Sequence, residues 1–153
     1  MDRIRISSKT WVLACDGSKA LLFQNVGDAK AIELKTVEVF VEPHPPAREL
    51  GTDRPGRVYE SMGGSRSSAR ETDRHQQAED RFLHETAGKI DALVRAGTIT
   101  SLVLAAPPRA MGVLRTQISP ATKEVILAEI TKDMVKLPTA EIQQHLAAMG
   151  QLR

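Results

Sequence analysis

The sequence predicts an α/β fold: a mixed five-stranded sheet, an antiparallel three-strand meander plus two strands in α-β units, with helices on its faces. Two observations carry this. Trp11 to Cys15 and Ala20 to Phe23 are short apolar runs separated by Asp16-Gly17, the pattern of a hairpin. Ser101 to Ala106 is a continuous apolar run between segments of helical period, as in a strand buried on both faces.

Taken in order, Asp16-Gly17 suits a type I′ turn, which needs positive φ at both central residues. A third strand follows Gly27-Asp28. Ile32, Leu34 and Thr36 alternate there with Glu33 and Lys35, and Val37, Val39 and Val41 extend the strand. From residue 43 to about 73 no period holds, and the stretch holds Pro43, Pro45, Pro46, Pro55, Gly51, Gly56, Gly63 and Gly64. So long a segment without a period inside a compact domain is expected to be functional or disordered. A helix is expected over about 74–96, with Leu83, Ala87, Ile90 and Val94 in its apolar stripe, Ala78 and Phe82 beside it, and Gly97 just past its end. Ser101 to Ala106 is then a central strand, adjacent and parallel to the first. Ser119-Pro120 opens a helix, with serine as N-cap and proline at the first helical position, reaching about residue 129. Residues 130–137 read as the last strand, and Thr139 caps a last helix closed by Gly150. Residues 1–153 read as one domain without internal repeats.

Lys and Arg total 21 against 19 Asp and Glu, a net charge of +2 that does not by itself point to a polyanion. The clustering of arginines in one segment matters more. The single cysteine, Cys15, rules out a disulfide within the chain and fits a reducing compartment. The first residues, MDRIRISSKTW, lack the apolar centre of a signal peptide, and no stretch approaches the roughly 20 apolar residues of a membrane span. A cytoplasmic protein with no membrane partner is expected.

Most groups with chemical potential have plain explanations. Cys15 lies in an apolar strand and is expected to be a buried, inert thiol. Asp16 follows the first strand. The order of elements is also that of RNase-H-like folds, whose nucleases place a metal-binding carboxylate on that strand. Two-metal chemistry needs several converging carboxylates, and the fourth strand ends in Ala105-Ala106-Pro107-Pro108, so Asp16 reads as a turn residue. His44, His75, His84 and His145 have no zinc spacing, and there is no nucleophile elbow. Neither a metal nor a cofactor is expected. Arg109 and Arg115 follow the carboxyl end of a central strand, where ligands bind in open α/β sheets, and are secondary candidates for a phosphate. The favoured reading of that segment is a strand-to-helix connection with solvated arginines.

The strongest signal lies around Gly63-Gly64. Such a pair lets the backbone approach a ligand closely and exposes consecutive N–H groups. Arg48, Arg54, Arg57, Arg66, Arg70 and Arg74 surround it, and the segment leads into a helix, an arrangement suited to a phosphate backbone. Glu49, Asp53, Glu60, Glu71 and Asp73 are interleaved, so the local field is mixed, and a solvated flexible loop is the plain alternative.

Four blocks, WVLACDGSKALLF, RELGTDRPGRVYES, LVLAAPPRAMGVLR and EITKDMVKLPTAEIQQHL, make nearly the whole chain resemble the bacterial host attachment proteins. That family looks like a relative of the middle domain of archaeal and eukaryotic class I release factors and Pelota. The resemblance implies a mixed sheet with helices on its faces. In release factors the domain carries a Gly-Gly-Gln loop that enters the peptidyl-transferase centre and promotes peptidyl-tRNA hydrolysis. Gly63 and Gly64 match the two glycines, and Ser65 stands in place of glutamine. Serine retains the backbone N–H used there but not the glutamine side chain. Pelota lacks the motif and is not a hydrolase.

Three functions are therefore in view. The leading one is a domain that binds ribosome or tRNA through Arg57, Gly63, Gly64, Ser65, Arg66, Arg70 and Arg74, without efficient hydrolysis. The others are a peptidyl-tRNA hydrolase using the Ser65 N–H, and a factor that binds a protein partner and affects cell attachment indirectly.

Overall fold

The computed structural model of the chain describes residues 6–42 and 64–151. Its elements are β1 (Trp11–Cys15), β2 (Lys19–Asn25), β3 (Leu34–Val41), α1 (Gly64–Arg95), β4 (Leu102–Ala106), α2 (Pro108–Gln117), α3 (Pro120–Val125), β5 (Ile126–Thr131) and α4 (Thr139–Gln151). The strands form one sheet in the order β3-β2-β1-β4-β5. β1 pairs antiparallel with β2 and parallel with β4, while β5 pairs parallel with β4. The mixed α/β fold and the central parallel pair are as the sequence predicts. Both central strands are buried along their whole length because helices cover both faces of the sheet.

Alternation along the strands sorts the core into two clusters. On one face Trp11, Leu13, Leu22, Leu102 and Leu104 pack against Phe82, Leu83, Ala87 and Ile90 of α1 and Met111 and Leu114 of α2. On the other, Val12, Phe23, Val103 and Ala105 pack against Met134, Val135 and, from α4, Ile142 and Leu146. The Lys89 ammonium lies 4.5 Å from the centre of the Phe40 ring and ties α1 to the edge strand β3.

The β1–β2 hairpin forms where expected, but by different chemistry. The Asp16 N–H donates to the Lys19 carbonyl, and the Asp16 carboxylate accepts from the N–H groups of Ser18 and Lys19, each at 2.9 Å. Among the described residues positive φ occurs only at Lys9 and Gly97, so no type I′ turn stands at Asp16-Gly17. A side-chain acceptor takes the place of the left-handed backbone. β3 begins at Leu34, and its register against β2 shifts between Leu22 and Phe23, so Glu38 faces Leu22 while Thr36 faces Phe23. One extra residue reverses the side-chain phase. Val37, Val39 and Val41 are exposed on this edge strand.

The helices depart from expectation in four places. α1 starts at Gly64, ten residues before the expected start at 74, so the last part of the expected 43–73 loop is helical. Its end matches: Gly97 has φ +81°, its N–H donates to the Val94 carbonyl, and the Thr98 N–H donates to that of Leu93, a Schellman closure. Pro107-Pro108 follows the end of β4 and opens a helix not expected from the sequence, α2, because proline at the first helical position loses no hydrogen bond. α3 does start at the Ser119 cap, whose hydroxyl accepts from the Thr122 N–H, yet it ends at Val125. The last strand is Ile126–Thr131 rather than 130–137. Met134 and Val135 are core residues of the following connection. In α4, Thr139 is the first helical residue rather than the cap, since the Ile142 N–H already donates to the Pro138 carbonyl.

Candidate nucleic-acid interface

α1 has 32 residues, and its second part packs on the sheet. The first residue of α1 described as buried is Phe82, and Ala78 and Glu79 are half-buried. Arg74, His75, Gln76 and Gln77 are all exposed. Four consecutive residues complete a helical turn, so α1 is free of the other described elements on every side there. From Gly64 to Gln77 the helix runs on for about 20 Å at 1.5 Å per residue.

Helical register gives this projection a direction. At about 100° per residue, positions 66, 70, 74, 77 and 81 fall within an arc of about 80°. The described ones, Arg74, Gln77 and Arg81, lie on the side opposite Leu83 and Ile90, and Arg66 and Arg70 precede them in sequence at the same spacing. Arginines at i and i+4 repel and destabilise a helix by about 0.2–0.5 kcal/mol per pair. Helix stability alone gives no reason for this row.

Three carboxylates of α1 are turned to the fold. Glu79 packs on Gly17 so closely that a Cβ there would lie 2.7 Å from its Cγ and Cδ. Asp80 accepts from the Arg109 guanidinium at 3.1 Å. Asp91, nearly buried, accepts from the Ser119 N–H and hydroxyl and from the Thr122 hydroxyl, locking the start of α3 to α1.

The residues singled out from sequence fall into three groups. Arg57 and Gly63 lie outside the described residues, as do Arg48 and Arg54. Gly64, Ser65 and Arg66 head α1, where backbone N–H groups have no intrahelical acceptor, and Arg70 and Arg74 follow in the next turns. Arg109 and Arg115 are not brought together. Arg109 borders a cleft of about 250 Å³ at the carboxyl ends of β1 and β4, with Asp16, Ser18 and Glu79. Arg115 pairs with Glu129 at 2.7 Å beside a groove of about 590 Å³ along β5. Each guanidinium has a carboxylate partner. Arg81 escaped the sequence reading. Carrying the helical period back from Leu83 through the polar segment would have placed it with Arg74 and Arg70.

Cys15 is buried, and burial, with a smaller contribution from the Asp16 charge, pushes its thiol up to about 12 from 9.0. It is held as a neutral core group. The Asp16 carboxylate serves the hairpin turn, as read from sequence. His84 Nδ1 shares a hydrogen bond with Gln117 Oε1. Among the described residues no three of His, Cys, Asp and Glu group so as to hold a metal ion, and no helix is long and apolar enough to cross a membrane.

This sheet, with its long first helix, sits in a chain whose residues 11–146 match the model of the family described as "Protein required for attachment to host cells". The chain belongs to that host attachment family. No curated protein matches it. Among solved structures, it is similar to an archaeal translation termination factor at 12% identity with a TM-score of 0.45, covering 89% of this chain and 37% of that one. The chain thus spans well under half the length of that protein.

Proposed function

We propose that the chain binds ribosome or tRNA through the start of α1 and the Gly-Gly-Ser segment leading into it, without efficient peptidyl-tRNA hydrolysis. The observation that carries this reading is the full exposed turn of α1 from Arg74 to Gln77, which Arg66 and Arg70 precede in sequence at a four-residue spacing. Arginines repeated at helical spacing are an electrostatic footprint for a phosphate backbone. In this reading Gly63 and Gly64 permit close approach, and Arg57, Arg66, Arg70 and Arg74 contact phosphates. The effect on attachment that the family's description names would then be indirect.

Co-sedimentation with ribosomes at graded salt tests the proposal. Association is expected at low salt, falling steeply as salt rises, and the Arg57, Arg66 and Arg70→Glu triple variant should lose it. Absence of association at low salt would instead favour a protein partner. A hydrolase reading keeps one support: Ser65 heads the helix, where its N–H is free to meet an oxyanion. A peptidyl-tRNA release assay separates the two. Little release is expected from the native chain, and Ser65→Gln asks whether the missing side chain is all that hydrolysis lacks.

A further inference from the structure

We draw no further inference here: the strongest candidate, the groove of about 590 Å³ along the edge strand β5 with Leu127 exposed beside half-buried Ile126, carries nothing, because its Arg115 is paired with Glu129 and nothing in the structure shows what covers it.

Discussion

The two parts of α1 are made of one continuous helix under different constraints. From Phe82 to Ile90 it is held by the sheet: an apolar stripe packs against Leu13, Leu22 and Leu104, and Asp91 fastens it to α3. From Arg74 to Gln77 every residue is exposed, and the sequence leading into this turn places arginine at 66, 70 and 74. Burial accounts for the composition of the first part and not of that exposed turn, which is where a partner is to be sought.

The contrast is broken most easily from the packed side. Leu83→Ala or Ile90→Ala should each lose about 2–5 kcal/mol of stability, read from denaturant midpoints, since both side chains are fully buried. If either cost no more than a surface change, the core assignment of α1 would be wrong. The sheet beneath provides a pH-dependent measure of the same packing. Below pH 9.0 the Cys15 thiol is neutral whether the chain is folded or not. Above it the unfolded thiol ionises while the folded one stays neutral up to about 12, so stability should fall by about 1.4 kcal/mol per pH unit across that window. Cys15→Val should remove this part of the alkaline loss. Asp91→Ala should cost about 1–3 kcal/mol, because it leaves Ser119 and Thr122 without their shared acceptor.

Smaller effects sharpen the comparison on the exposed side. Gly88→Ala should stabilise the chain by about 1 kcal/mol, since the site is open and helical. A loss of stability there would mean that an internal contact needs the glycine. Changing Arg66, Arg70 and Arg74 together to glutamine should shift stability by no more than about 0.5 kcal/mol.

Where burial imposes a period, the sequence was readable: WVLAC, LVLAA, the Leu83–Ala87–Ile90 stripe and the Gly97 closure all appear as expected. Where burial is partial, it was not. β5 is only half-buried on alternate residues, and VILAE can be read as either helix or strand over so short a run. The start of α1 was hidden for the same reason, since a polar helix without an apolar stripe has no period to detect. The candidate site shares that blind spot. Its arginines were recognised one by one, but their alignment depends on helix that no hydrophobic pattern announces. Arg109 and Arg115, secondary phosphate candidates in the sequence, each pair with a carboxylate that no sequence pattern announces, Asp80 and Glu129.

The central proposal is that the arginines in the first part of α1 contact phosphates. It is tested most directly by the salt dependence of ribosome binding in the native chain and in the Arg66, Arg70 and Arg74→Gln variant. With melting temperatures matched, the variant's slope of log affinity against log salt should be shallower by about two to three, one counterion release per lost contact. Equal slopes, with equal affinity, would show that the row carries no phosphate contact and would contradict the account.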